Sequence, residues 1–211
     1  SGCFETGIML STGPKKEEAL DGLKRKLEIC EALGVPVLIV CPDTPEEELA
    51  AGHYDRAAEG LAEAGEIAGQ FGVSLAIEFI QGHPFVGCAA TAGELAGKTG
   101  RENIGILFDI FHFYVGASKI VNIPRLANKV LFVHLNDCRK MPVELAQDAD
   151  RTFPGQGMFP LQQILDELIT GGYAGHVSLE LFDRDVWEMP VQQAVDLCYE
   201  KCRSFTAAFD R

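Results

Sequence analysis

The stretch NIGILFDIFHFYVG, residues 103–116, is almost wholly apolar, yet it carries one carboxylate, Asp109, and one imidazole, His112. Its first half, rich in Ile, Leu and Phe, is typical of a strand that is buried on both faces. Charged groups are costly to bury unless they are paired or bind a cation. Asp109 therefore indicates a polar site at the point where this buried strand ends.

Similar apolar runs recur along the chain and alternate with helical patterns. The predicted strands are Phe4–Leu10, Val37–Cys41, Val73–Ile80, Ile104–Asp109, Val130–Asn136 and Val177–Phe182. The predicted helices are Lys15–Leu33, Asp55–Phe71, Thr91–Lys98, Ile123–Lys129, Leu161–Thr170 and a last one from Pro190 toward Phe209. This alternation indicates right-handed βαβ crossovers and a parallel sheet covered by helices. Six such units are two fewer than a closed (β/α)₈ barrel has.

Composition limits the kinds of protein that this chain can be. With 211 residues, of which 47% are hydrophobic, it predicts one globular α/β domain over residues 1–211. A net charge of −13 without a basic cluster argues against nucleic acid as a partner. The absence of an apolar run of about 20 residues argues against a membrane span. Seven cysteines without a C-x-x-C pair predict a reduced, cytoplasmic setting.

Four of the predicted strands end on a group that can bind a metal. They are Glu78, Asp109, His134 and Glu180. The carboxyl ends of parallel strands meet at one edge of the sheet, and side-chain alternation predicts that all four groups point to the same inner face. We therefore expect three carboxylates and one imidazole to converge.

Converging carboxylates repel one another, and a divalent cation would remove this repulsion. Oxygen-rich ligands with one imidazole suit Mn²⁺, Mg²⁺, Co²⁺ or Zn²⁺. The alternative is that each group lies exposed at a strand end and is satisfied by water or a helix N-terminus. Four such groups in register on four successive strands favour one divalent metal ion.

Four other polar residues lie near these strand ends. His112 follows Asp109 by three residues, which places it above the site or, alternatively, in an ordinary loop. Arg151 precedes a Pro-Gly-x-Gly turn that can hold a guanidinium rigidly, although such turns are common. His83 can reach a substrate or pack in its loop, and Asp137 can be a metal ligand, a partner of a ligating histidine or a loop cap.

Taken together and in this order, GVSLAIEF, LFDIFHF, FVHLNDC, DRTFPGQG and HVSLELF resemble the xylose-isomerase-like TIM-barrel group of sugar isomerases and epimerases. The resemblance covers essentially the whole chain. It implies an incomplete (β/α)₈ TIM barrel in which Phe4–Leu10 corresponds to the third strand and the first two strands are absent.

The resemblance also implies roles for individual residues. The implied metal ligands are Glu78, Asp109, His134 and Glu180. His112 and Arg151 would contact substrate oxygens, with His83 as a further substrate-binding candidate. Glu78 and Glu180 would also exchange protons with the substrate.

These implications lead to a metal-dependent isomerase or epimerase of a keto-sugar or keto-inositol that acts through an enediolate. Alternatives are a ketose 3-epimerase, a hydroxypyruvate isomerase, or a truncated non-catalytic barrel that binds a small polyol. A metal-dependent abasic-site endonuclease is disfavoured by five histidines and the charge of −13. We expect a sugar or cyclitol as the partner, and the sequence leaves open whether the chain forms a homo-oligomer.

Overall fold

A sheet of six parallel strands forms the centre of the computed structural model, which describes residues 4–206. The strands are β1 (Phe4–Glu5), β2 (Val37–Val40), β3 (Ser74–Glu78), β4 (Ile104–Asp109), β5 (Val130–Leu135) and β8 (Val177–Leu179). They lie in the order β1-β2-β3-β4-β5-β8, and every neighbouring pair is parallel. The predicted parallel sheet is therefore confirmed. Two short strands, β6 (Asp137–Cys138) and β7 (Arg151–Thr152), form a separate antiparallel pair, which was not predicted from the sequence.

Helices connect the parallel strands. They are α1 (Gly13–Leu33), α2 (Ala51–Gln70), α3 (Ala89–Lys98), α4 (Ile110–Val115), α5 (Ile123–Leu126), α6 (Leu161–Thr170), α7 (Arg184–Trp187) and α8 (Val191–Thr206). Short 3₁₀ turns lie at Ile120–Asn122, Ala127–Lys129, Val143–Leu145 and Asp148–Asp150. The predicted end of the last helix, Phe209, lies outside the described residues.

The two faces of the sheet bury different residues. Toward the helices, alternate residues of β3 and its flank, Val73, Leu75 and Ile77, join the large apolar core. The opposite, inner face holds a small separate cluster of Ile39, Ala76, Leu107 and Phe132. Because side chains alternate along a strand, residues two positions further on, including Glu78 and His134, also lie on the inner face.

Strand β1 ends earlier than predicted, at Glu5 instead of Leu10. Gly7 has a φ of +80°, a left-handed conformation that a continuing strand does not contain. The backbone N–H groups of Gly7 and Leu10 donate to the Asp43 carboxylate at 2.5 and 2.6 Å instead of to a neighbouring strand. The apolar pattern could not reveal this, because the carboxylate is 33 or more residues away in the sequence.

Helix α4 begins directly after β4 and was not predicted from the sequence. The Asp109 side chain caps it by accepting a hydrogen bond from the backbone N–H of His112 at 2.8 Å. Six residues are too few for a helical period to be visible in an apolar run, so the capping interaction identifies the helix only in the folded chain.

The sheet has two open sides among the described residues, since β1 pairs only with β2 and β8 pairs only with β5. None of the helices in residues 4–206 is long and apolar enough to cross a membrane.

Two glycines of α2 give a test of the packing between this helix and the segment that follows β1. A methyl group on Gly60 would lie 2.3 Å from the Ile8 carbonyl oxygen, whereas one on Gly52 would meet no atom within 4 Å. We expect Gly60→Ala to lower the free energy of unfolding by about 1–3 kcal/mol through overpacking. Gly52→Ala should leave it unchanged or raise it by up to about 1 kcal/mol, because alanine favours helix. Urea unfolding followed by circular dichroism measures both, and equal effects of the two substitutions would contradict this packing.

Candidate metal centre

The four predicted strand-end groups come together in the structure. Glu78 and Asp109 are the last residues of β3 and β4, His134 lies in β5 opposite Asp109, and Glu180 directly follows β8. The backbone N–H of Glu180 donates to the Leu135 carbonyl at 3.1 Å, which continues the ladder past the end of β8. One potential ligand atom from each of the four side chains lies within 4.8 Å of the others.

The imidazole of His134 faces all three carboxylates. Its Nδ1 lies 3.2 Å from Glu180 Oε2, 3.6 Å from Asp109 Oδ2 and 3.7 Å from Glu78 Oε1. This buried nitrogen nevertheless has no partner with hydrogen-bond geometry among the described residues. Burial lowers the pKa of His134, but attraction to the nearby carboxylates of Asp109, Glu180 and Glu78 outweighs it and raises the pKa to about 11. The surroundings of Nδ1 therefore strongly favour positive charge.

This donor set fits a divalent cation. Three carboxylates and one imidazole are suitable ligands for Mn²⁺, Mg²⁺, Co²⁺ or Zn²⁺. A buried ring nitrogen without a hydrogen-bond partner, aimed at the carboxylates, is what a metal-ligating histidine requires.

Asp109 is fully buried and is held in place on both oxygens. Oδ1 accepts the helix-capping hydrogen bond from His112, while Oδ2 accepts hydrogen bonds from Asn136 Nδ2 at 3.1 Å and Arg151 Nη1 at 2.7 Å. Burial raises the pKa of this carboxyl, but the Arg151 guanidinium and the neighbouring histidines hold it well below its usual range. Asp109 is therefore ionised despite having no contact with solvent.

Arg151 forms one wall of the site and is only 1% exposed. Its Nη1 contacts Asp109 and, at 3.1 Å, Glu180 Oε2, while Nε and Nη2 donate to Asp148 at 3.0 and 2.8 Å. Nη2 also lies 3.3 Å from His112 Nε2. The guanidinium stands over the Phe111 ring at 4.5 Å. Four hydrogen bonds and the ion pair with Glu180 thus hold the guanidinium in place.

The two other histidines suggested by the sequence differ in position. His112, 6% exposed on α4, contacts Arg151 through Nε2, and its buried Nδ1 has no hydrogen-bond partner among residues 4–206. His83 is half-buried in the loop after β3, and its ring Nδ1 bonds to the Phe85 backbone. The structure therefore places His112 at the edge of the site, whereas the described hydrogen bonds of His83 remain within its own loop.

Asp137 caps a loop and does not join the four side chains. Its carboxylate accepts hydrogen bonds from the backbone N–H groups of Cys138, Gly155, Gly157 and Phe159, at distances from 2.8 to 3.1 Å. A methyl group on Gly157 would lie 2.2 Å from this carboxylate, so only glycine fits there. Of the three roles that the sequence left open for Asp137, the structure supports the loop cap.

Two neighbours of the site, Asn136 and Cys41, were not predicted from the sequence. Asn136 donates to Asp109, and Cys41 lies with its Sγ 3.6 Å from Glu78 Oε2. Burial, followed by the nearby Glu78 carboxylate, raises the pKa of the Cys41 thiol to about 12. Strand-end parity could have identified both, because Asn136 follows His134 by two residues and Cys41 ends the predicted second strand.

Comparison with known proteins agrees with this architecture. Residues 2–201 match the profile of the family described as xylose isomerase-like TIM barrel. An inosose isomerase of Halalkalibacterium halodurans is 34% identical over 183 residues, which cover 85% of this chain and 64% of that protein. An inosose isomerase of Bacillus subtilis is 30% identical over 182 residues, covering 84% and 65%. The chain thus spans about two thirds of the length of these curated relatives.

A solved structure shows the same fold. The crystal structure of an IolI protein with a bound zinc atom superimposes with a TM-score of 0.87 at 24% identity, covering 98% of this chain and 76% of that one. Together with the family match, this confirms the predicted incomplete TIM barrel.

Metal analysis tests the role of His134. We expect the purified protein, dialysed against Mn²⁺ or Zn²⁺, to retain one ion per chain, because the four donors converge on one point. His134→Ala should weaken metal binding more than about ten-fold. Loss of a residue that only hydrogen-bonds to a metal ligand already costs about that much, and this substitution removes a proposed ligand itself. His176→Ala, which replaces an exposed histidine, is the control. Equal metal content in both variants, measured by inductively coupled plasma mass spectrometry, would rule out the proposed centre.

Unfolding measurements test the role of Asp137. Asp137→Asn should lower the free energy of unfolding by about 3 kcal/mol, because an amide oxygen cannot accept hydrogen bonds from all four backbone N–H groups. Asp166→Asn is a suitable control, since Asp166 is an exposed carboxylate with one side-chain hydrogen bond on α6. A similar urea midpoint for Asp137→Asn and the unmodified protein would show that the loop does not depend on this carboxylate.

Proposed function

Because this chain belongs to the xylose isomerase-like TIM barrel family, we propose that it is a divalent-metal-dependent isomerase or epimerase of a keto-inositol or keto-sugar. The observation that carries the proposal is the convergence of three carboxylates on the unpartnered Nδ1 of His134 within the described residues. The relatives named inosose isomerase favour a cyclic polyol ketone over other substrates.

The cation would be held by Glu78, Asp109, His134 and Glu180. When bound, it would supply Lewis-acid stabilisation of the negative charge that develops on substrate oxygens. Asp109 suits the part of a fixed ligand, because three hydrogen bonds already hold its two oxygens. Its position would not change during turnover.

The two glutamates are the proposed proton carriers. Removal of a proton from a hydroxyl-bearing carbon next to a carbonyl produces an enediolate. Return of the proton to the neighbouring carbon gives isomerisation, and return to the opposite face of the same carbon gives epimerisation. The Glu180 side chain is 28% exposed and that of Glu78 is 12% exposed, so both retain access to a substrate that fully buried Asp109 lacks. Burial raises the pKa of the Glu180 carboxyl, and its side chain is the more exposed of the two glutamates. We assign proton removal to Glu180 and proton return to Glu78.

Arg151 and His112 would contact the substrate's oxygens beside these glutamates. The Nη1 of Arg151 forms an ion pair with Glu180 in addition to its hydrogen bond with Asp109, so a substrate oxygen beside Glu180 could take the place of Glu180 on this nitrogen. The unpartnered Nδ1 of His112 is the second polar atom available for a ligand. His83 stays a weaker candidate, because its ring is bonded to the backbone of its own loop.

Deuterium exchange tests the proposed base. The metal-loaded protein is incubated in D₂O with 2-keto-myo-inositol, and incorporation next to the carbonyl is followed by proton NMR. We expect Glu180→Gln to lower the catalysed rate by at least about 100-fold, as is usual for loss of a general base. A parallel series with a ketohexose shows whether the preferred substrate is a cyclitol or a sugar.

Glu188→Gln is the matched control, because Glu188 is an exposed glutamate next to α7. Its exchange rate should equal that of the unmodified protein. Exchange by the unmodified protein no faster than by the same cation in buffer would refute the proposed activity. Equal rates in Glu180→Gln and the unmodified protein would refute the proposed base.

A further inference from the structure

A cavity of about 610 Å³ lies beside the candidate metal centre, between the end of β8 and the loop before β7. The residues that matter for its chemistry are Arg139, Asp148, Phe182, Asp183, Arg184 and Trp187. Its volume lies in the range of small-molecule sites, which usually combine aromatic surface with a few polar groups. The function proposed above does not use this cavity.

An aromatic pair provides its apolar surface. Trp187 is 61% exposed and Phe182 is 39% exposed, so both rings offer surface to a ligand. The indole N–H of Trp187 donates to the Leu181 carbonyl at 3.3 Å, and the two rings meet edge to face at 6.0 Å. These contacts hold the indole in one orientation before any ligand binds, which lowers the entropic cost of binding.

Charged groups of both signs surround the aromatic pair. The guanidinium groups of Arg139 and Arg184 form no ion pair or side-chain hydrogen bond with the described residues, so they can donate to a ligand. Asp148, Asp183 and Asp185 contribute three carboxylates. The resulting charge of −1 disfavours an anion, whereas hydroxyl groups can both accept from arginine and donate to aspartate.

The cavity adjoins the metal centre through two contacts. Phe182 follows Glu180 by two residues, and its ring lies 5.4 Å from the Arg151 guanidinium carbon. Asp148, which lines the cavity, accepts hydrogen bonds from the same guanidinium. The Arg151 side chain therefore lies between the cavity and Glu180.

We propose that this cavity is an outer subsite that binds the ring of a neutral polyol, with the C–H face of the ring against Trp187 and its hydroxyl groups on Arg139 and the aspartates. The choice of a cyclitol as the probe rests on the proposed function. Binding itself needs neither the cation nor turnover. The subsite would hold polyol rings at the entrance of the metal centre.

Intrinsic fluorescence tests this proposal, because Trp187 is the only tryptophan in the chain. myo-Inositol is titrated into protein that has been treated with a chelator, and the emission of Trp187 is recorded. We expect a saturable change in emission. Arg139→Ala should weaken binding about ten-fold, the equivalent of one hydrogen bond to a charged group. Lys140→Ala, which removes the adjacent exposed cation outside the cavity, is the matched control and should bind normally.

Several results would overturn the subsite. They are a linear instead of saturable fluorescence change, equal affinity of Arg139→Ala and Lys140→Ala, or tighter binding of glucuronate than of myo-inositol. Binding to Trp187→Leu can be followed by saturation-transfer NMR, and the transfer from this variant to the inositol protons should be lost. The titration uses metal-free protein and measures binding without turnover. Its result therefore does not depend on whether the protein proves to be an isomerase. Failure of the subsite and failure of the proposed function are thus distinguishable.

Discussion

Mutual repulsion among three carboxylates at one rim of the sheet is the constraint on which the site depends. Glu78, Asp109 and Glu180 each offer an oxygen within 4.8 Å of the others, and such a group is stable only beside positive charge. Arg151 supplies one positive charge from a buried position, which neutralises only part of the negative charge. The Nδ1 of His134 faces the same carboxylates. A divalent cation bound at that nitrogen would neutralise the remaining negative charge with its two positive charges, which explains why this donor set fits a metal.

Neutral hydrogen-bond donors keep these charges in place. Asp109 accepts from the backbone of α4 and from Asn136 as well as from Arg151, so helix, strand and loop all meet at one carboxylate. Asp137 holds the loop that follows β7 through backbone N–H groups alone. The two aspartates have different tasks, since one is aimed at the site and the other shapes the loop beside it.

The four proposed metal ligands lie on or directly after neighbouring strands of one sheet. The four side chains come from β3, β4, β5 and the residue after β8, which are successive neighbours in the sheet. Each pair of neighbours is tied by the parallel ladder, including His134 opposite Asp109. The convergence of the donors is thus a property of the paired strands in this chain.

The sequence by itself determined the strand order along the chain, the parallel class of the sheet and the inward side of Glu78, Asp109, His134 and Glu180. These features follow from apolar runs and side-chain alternation, which are local and periodic. Tertiary structure alone decided the early end of β1, where the following N–H groups donate to Asp43, and the capping of α4 by Asp109. It also decided the hydrogen bonds and ion pairs of Arg151 and the role of Asp137 as a loop cap. Most of these depend on hydrogen bonds between residues far apart in the sequence, and even the local cap of α4 left no periodic pattern. The hydrophobic periodicity of a sequence shows which face of a strand or helix a side chain lies on, but not which residue it contacts there.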